Sequence, residues 1–373
     1  MDLNVALDPV LKVTREAAPD VDEEGAFPAA AVDALRTSGL LGLTLPEEAG
    51  GMGAGPVEFS EVVCALADAC GSTGMVYLMH VSAAMVVAAS PPAGMPDLLG
   101  DLAAGRALAT LAFSERGSRS HFWAPVSRAV HEGEAVRVRA EKSWVTSAGN
   151  ADLYVVSTLT AAGGPSDVDL YAVRRGSPGL SVAGPWRGLG LRGNDSAPMH
   201  LDVLVGPEQR IGEGAAGFGL MMSVVLPWFN LGNAAVSLGL ASAAVDAAVA
   251  HATGARFEQT GQSLAELPTI RARLARMSLQ LATHRSYLDT AAASIANPDE
   301  RTSLHVLGVK AVANDAALII TDEAMRVCGG AAFSRHLQLE RYFRDARAGH
   351  VMAPTADALY DFYGKAITGQ PLF

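Results

Sequence analysis

The stretch VRVRAEKSWVTSAGNADLYVVSTL, residues 136–159, constrains this chain most, because its apolar and polar residues alternate with the period of a strand. VDLYAVRRG and MHLDVLVG add two further strand candidates, each bounded by Gly or Pro. On both sides of this region the apolar residues recur at helical spacing instead. Two changes of period in one chain predict an α+β architecture: a helical region over 1–108, a small β-domain over 109–210 and a helical bundle over 211–373.

Within the first region, AAAVDALRTSGLLGL predicts a helix that stops near Gly39, a residue suited to a left-handed C-cap. TLPEEAGGMGAG, residues 44–55, predicts a loop from its Pro and Gly content, and PVEFSEVVCALADACGSTGMVYLMHVSAAMVVAA returns to helix. Helical periodicity covers 220–253, 265–295, 301–328 and 355–368 in the last region. PTIRARLARMSLQLATHRSYLDTAAASIA interleaves arginines with an apolar stripe, the pattern of a bundle face with solvated cations.

Half of the 373 residues are hydrophobic and 18% are charged, which excludes a disordered chain and fits a large, well-buried protein. A net charge of -11 gives no reason to expect a nucleic-acid partner. Cys64, Cys70 and Cys328 are too few and too scattered for a disulfide framework or a four-cysteine zinc site, so a reducing cytoplasm is expected. Met1 leads into Asp2 without a basic and apolar leader, and the apolar tracts 215–228 and 234–250 are short or carry Asp246, so neither a signal peptide nor a membrane span is expected.

Several chemistries lack their motifs. HExxH, paired CxxC and EF-hand loops are absent, as is a GxSxG elbow. GLGLRG, residues 188–193, has the GxGxxG spacing but does not follow a convincing βαβ start, so a dinucleotide site of that kind is not expected. His80, His121, His200 and His284 are scattered, the pattern of structural or surface histidines.

Six other segments, in order, do match one family. LLGLTLPEEAGGMG, LATLAFSERGSRS, AEKSWVTSAGNADLYVV, GLGLRGNDSAPMHLDVLV, VCGGAAF and RYFRDARAGHVMAPT together resemble the signatures of the acyl-CoA dehydrogenase superfamily. That resemblance spans nearly the whole chain. It implies an N-terminal helical domain, a middle β-domain, a C-terminal four-helix bundle and bound FAD rather than FMN. It also implies site residues. Trp144 would flank the flavin ring, Thr146 would bond near its N5, and Ser114 and Glu115 would run along its pyrimidine edge through their backbone. Ser118 would reach the pyrophosphate, with Thr355 and Asp357 near the cofactor's middle. Arg256 and the Gly329–Gly330 turn would serve the cofactor of a neighbouring protomer, in a homodimer or homotetramer. Read without the family, Trp144 is a buried strand aromatic, Thr146 a β-branched strand residue and Arg256 a solvated loop cation.

The same resemblance exposes a loss. The family's proton-abstracting glutamate belongs in the segment matching Val351–Thr355, where Ala353 and Pro354 stand. The alternative base and a substrate arginine belong at the start of the bundle, where Phe229 and Asn230 stand. Neither pair can take the α-proton of a thioester. This profile resembles the branch of the fold that oxidises or hydroxylates with O2 and reduced flavin supplied by a separate reductase. Met222, Phe229, Asn230 and Ala353, with Trp123, would then line a dry pocket, and Ser120 and His121 would contact the oxygen intermediate or substrate, unless they are ordinary loop residues. The substrate would be a specialised metabolite or an acyl thioester, free or bound to a carrier. Two rivals remain: acyl-thioester desaturation with Asp357 or Asp361 as the base, and a non-catalytic partner subunit of a hetero-oligomer.

Overall fold

The computed structural model of the protein describes residues 3–119 and 121–372. Ser120 lies outside the described residues. The chain opens with helices α1 (Leu3–Glu23), α2 (Ala29–Thr37), α3 (Pro56–Ala69), α4 (Gly71–Ala89) and α5 (Leu98–Ala103). Gly39 follows α2 with φ 76°, the left-handed conformation that its lack of a Cβ permits.

Eight strands follow: β1 (Ala109–Ala112), β2 (Val130–Glu132), β3 (Ala135–Val145), β4 (Leu153–Leu159), β5 (Val168–Arg174), β6 (Leu180–Val182), β7 (Ala197–Val205) and β8 (Arg210–Ile211). They form two four-stranded sheets, in the orders β1-β4-β5-β8 and β2-β3-β7-β6. β7 alternates buried and open positions along its length, so one face of its sheet packs inward. β4 and β5 are buried on both faces for six successive residues each, which is why their sequences read as nearly continuous apolar runs. Val138, Leu201 and Val203 from one sheet meet Tyr154, Val156 and Tyr171 from the other in a single core. Each such fully buried side chain contributes roughly 1.5–3 kcal/mol.

The C-terminal part is helical: α6 (Gly217–Leu220), a π turn (Met221–Val225), α7 (Leu226–Gly254), α8 (Pro268–Ala296), α9 (Thr302–Cys328), α10 (Gly330–Phe333), α11 (Leu339–Val351) and α12 (Ala356–Ile367). α7, α8, α9 and the α11–α12 pair make the bundle. Two hydrogen bonds, Asn230 Nδ2 to the Val306 carbonyl at 2.8 Å and Ser237 Oγ to Asn314 Oδ1 at 2.7 Å, advance together along both helices, so α7 and α9 run parallel.

Three helical stretches, Gly71–Ala89, Gly217–Gly254 and Thr302–Cys328, are long and apolar enough to cross a membrane. The second corrects the expectation of two short tracts, because the π turn joins them into one run of 38 residues. In all three, most of the apolar window is buried inside the protein.

By compactness the chain divides into two units. The first holds the residues up to Phe59, Met75–Gly188 and Arg192–Phe229; the second holds Ser60–Gly74, Leu189–Leu191 and Asn230 onward. Within the first unit, the N-terminal helices are tied to the β-domain by polar contacts. His80, fully buried, donates from Nε2 to the Leu41 carbonyl at 2.9 Å and accepts the Ala109 amide on Nδ1 at 3.0 Å. Burial pushes its pKa down to about 4 and keeps the ring neutral, as that pair of bonds requires. The Arg36 guanidinium adds a 3.3 Å bond to Asp152.

Candidate functional site

In the first unit the expected cofactor residues gather around the end of β3. Between Lys142 and Val145 the β3–β7 register slips by one residue, a bulge that places Trp144 at φ 58°. A bulge turns a side chain out of the strand's alternation. The indole is 65% exposed and meets Trp186 edge-on at 5.6 Å between ring centres. Leaving that much of a tryptophan in water forgoes about 2–4 kcal/mol of burial. The reading of Trp144 as a buried strand aromatic is therefore wrong: the backbone holds its ring outward.

Ser114 sits beside the bulge, because the Ser143 amide donates to its carbonyl at 2.9 Å. Glu115 is 6% exposed, and its carboxylate turns inward. Oε1 receives Lys142 Nζ and Ser127 Oγ, each at 2.6 Å, and Oε2 receives the Val126 and Ser127 amides at 2.8 and 2.6 Å. Lys142 also reaches the Ser157 carbonyl at 2.6 Å. Burial alone would push the Glu115 carboxyl up, but the Lys142 ammonium and the Ser127 bonds outweigh it and hold it below its usual value. This ion pair clamps the 114–118 turn to β3 two residues before Trp144.

The remaining β-domain residues are placed as follows. Ser118 donates its hydroxyl to the Glu115 carbonyl at 3.0 Å, so that donor is engaged within its own turn. Thr146 is buried, with its hydroxyl 3.0 Å from that of Ser196. His121 is exposed and packs its ring 5.0 Å from Trp123. Trp123 is 7% exposed and is packed edge-on against Phe122 at 5.2 Å, as part of an aromatic core cluster. Met222 is half-buried in the π turn, and Phe229 is buried.

In the second unit the helix breaks after Val351. Met352, Ala353 and Thr355 are half-buried, Pro354 is buried, and the Ala353–Pro354 peptide is cis. Thr355 caps α12, its hydroxyl accepting the Ala358 amide at 3.3 Å, and Asp357 lies exposed in the first turn. Asn230 and Asn233 are fully buried, and Asn233 Nδ2 lies 3.6 Å from Met352 Sδ, which brings the start of α7 to this segment. Arg256 and the Gly329–Gly330 turn do not join them. Arg256 follows the C-terminus of α7, roughly 36 Å along that helix from Asn230 by its rise per residue. There it bonds the Gly261 carbonyl at 3.0 Å within its own exposed loop. Gly329 and Gly330 end the parallel helix α9, at the same far end, and a Cβ on either would meet nothing within 4 Å.

The sequence reading assigned no role to three residues that shape these regions: Trp186, Lys142 and Lys310. Lys142 stands in the family-like segment AEKSWVTSAGNADLYVV, two residues before Trp144. Lys310 had its own signal, a single cation in the apolar run VLGVKAVA. Among the described residues, no group of three or more His, Cys, Asp or Glu is arranged to hold a metal ion.

Comparison with known proteins agrees with this layout. The acyl-CoA dehydrogenase N-terminal, middle and C-terminal domain models match residues 9–106, 110–204 and 215–367. A probable acyl-CoA dehydrogenase of Bacillus subtilis, YngJ, is 28% identical over 349 residues, covering 91% of this chain and 90% of that protein. Butyryl-CoA dehydrogenase from Megasphaera elsdenii superposes with a TM-score of 0.90 at 23% identity, covering 99% of this chain and 98% of that one. The prolyl acyl carrier protein oxidase AnaB superposes with a TM-score of 0.88 at 19% identity, over 98% and 99% of the two chains. At those identities the two structures speak for the fold alone. The three domain models together span most of the sequence in order, and the chain belongs to the acyl-CoA dehydrogenase family of FAD-dependent oxidoreductases.

Proposed function

We propose that this protein is a flavin-dependent oxidase or monooxygenase that works without a proton-abstracting carboxylate. Its substrate is a specialised metabolite, free or carried as an acyl thioester. The observation that carries the reading is the chemistry of two short segments. Ala353-Pro354 and Phe229-Asn230 stand where the family resemblance puts its bases, and none of these side chains accepts a proton near neutral pH.

The residues present suit a flavin. An outward-held Trp144 offers a flat apolar wall, which a solvated strand would not expose without a partner. Ser114 and Thr146 bring backbone and hydroxyl groups to the same strand end, and the buried Lys142–Glu115 pair fixes the turn that carries them. Bound there, FAD would supply two-electron redox chemistry and reaction with O2. Met222 and Phe229 would keep water from the reacting groups, and His121 would contact the substrate. The far-end position of Arg256 and Gly329–Gly330 favours their serving a second copy's cofactor, in a homodimer or homotetramer. For monooxygenation a separate reductase would deliver the electrons, whereas oxidation would draw them from the substrate itself; the cytoplasm suits three free thiols.

Desaturation of an acyl thioester is the second reading, favoured by the sequence relatives, which are named acyl-CoA dehydrogenases. Its base would be Asp357, exposed at the start of α12, or Asp361, exposed one turn on and 3.0 Å from Lys365. Mixing the FAD-loaded protein with butyryl-CoA and longer saturated acyl-CoAs without oxygen separates the two. The proposal expects the flavin to stay oxidised, and rapid bleaching would overturn it. Bleaching lost on Asp357→Asn would establish the second reading.

A further inference from the structure

Beneath the Ala353 segment lies a lysine that pairs with no carboxylate among the described residues. Lys310 of α9 is completely buried. Its ammonium donates to three carbonyls: Pro354 at 2.6 Å, Met352 at 3.0 Å and Gly349 at 3.1 Å. Three donors meet three acceptors, so the charged form is fully bonded.

Gly349 lies in the last turn of α11, Met352 is its C-cap and Pro354 stands in the break before α12. α11 stops at Val351, and the last carbonyls of a helix have no partner within it. Buried at the middle of a bundle, they need donors from elsewhere. Lys310 supplies these, and Asn314 Nδ2 adds a 2.8 Å bond to the Gly349 carbonyl while Ser237 fixes the Asn314 amide. Residue 349 must be glycine for this approach, because a Cβ there would come within 2.6 Å of Asn314 Oδ1. Burying an ammonium without a counter-ion is costly, and the helix's negative end offsets only part of that. A methionine of similar length would avoid the cost. What the lysine adds is geometry: two of its three acceptors, Met352 and Pro354, flank residue 353.

We propose that Lys310 is the positioning residue of the Ala353 segment. It fixes the backbone of 349–354 so that residue 353 presents one defined surface to the substrate. The second half of that statement rests on the reading that residue 353 lines the site; the fixing of the backbone does not.

The test uses the full FAD-loaded protein with Lys310→Met and Lys310→Gln, the latter retaining two donors. Amide hydrogen exchange over 349–355 should rise about tenfold or more in Lys310→Met and by less in Lys310→Gln, while α8 and β4 exchange as before. An unchanged rate, or a rise spread evenly through the bundle, overturns the proposal. If the methionine variant does not fold, the glutamine variant decides by the same local-against-global comparison. A second readout places a carboxylate at the segment with Ala353→Glu/Pro354→Gly and follows anaerobic flavin bleaching by butyryl-CoA. Adding Lys310→Met should slow that bleaching about tenfold at equal FAD content. An equal rate with and without Lys310 contradicts the positioning role. Failure of the carboxylate variant to bleach at all would count against the site reading of residue 353, and exchange would still decide Lys310.

Discussion

Lys142 in the β-domain and Lys310 in the bundle are both fully buried, yet they are held in opposite ways. Lys142 faces Glu115 at 2.6 Å, so its charge is neutralised on the spot. Lys310 faces only carbonyl oxygens, and burial pushes its pKa down to about 7. The difference shows what each region is built around. The β-domain clamps a turn by an ion pair and uses the rigidity to hold Trp144 outward. The bundle spends a cation on a helix end whose next residues, Ala353 and Pro354, carry no charge. In the first region an acid is present but structural; in the second a segment expected to carry an acid has none.

Breaking the ion pair should have the largest effect. Lys142→Met leaves Glu115 buried and unpaired and should cost about 3–5 kcal/mol in urea unfolding, with much of that recovered by Glu115→Gln/Lys142→Met. The pair also has a pH signature. Glu115 has a folded pKa below its unfolded value, so its contribution is full above about 4.5 and is lost as pH falls through the depressed value.

Trp144→Ala should be smaller and confined to binding. Because the ring is already exposed, stability without FAD should change by less than about 0.5 kcal/mol, while FAD affinity measured by fluorescence titration falls about five- to tenfold. A large loss of stability with unchanged FAD binding would make Trp144 a packing residue.

The subtlest difference is in the alkaline range. Lys310 has a folded pKa lowered from 10.5 to about 7, so across that window the unfolded chain holds the extra proton and stability rises with pH. Subtracting the urea midpoints of Lys310→Met from those of the parent between pH 7 and 10 should expose that rise. A flat difference would mean that the carbonyl cage keeps Lys310 charged throughout.

Much of this architecture was legible in the sequence because periodicity reports which face is buried. β3 and β7 follow from alternation, β5 from a short strand-prone run bounded by Gly, and α8, α9 and α12 from the helical period, within a few residues. β1, β2, β6 and β8 escaped notice, since two to four residues carry too little pattern. β1 is buried throughout and so does not alternate at all. The π turn at Met221–Val225 is invisible in a window tuned to the helical period. At the site, residue types were readable and backbone geometry was not. Trp144 was singled out, but its outward turn depends on a bulge set by pairing with β7. Trp123, expected to line a pocket, packs against His121 and Phe122 of its own loop, contacts that no periodicity reports. Lys310 reads as one cation in a helix until the fold brings the end of α11 onto it.

The central claim is that the flavin scaffold is retained while the proton-abstracting group at residue 353 is not. The measurement that tests it most directly is anaerobic mixing of butyryl-CoA with the FAD-loaded parent and with Ala353→Glu/Pro354→Gly, followed by flavin absorbance. The account predicts that the parent's flavin stays oxidised and that the variant's bleaches. Rapid bleaching of the parent, at a rate the added glutamate does not raise, would contradict it.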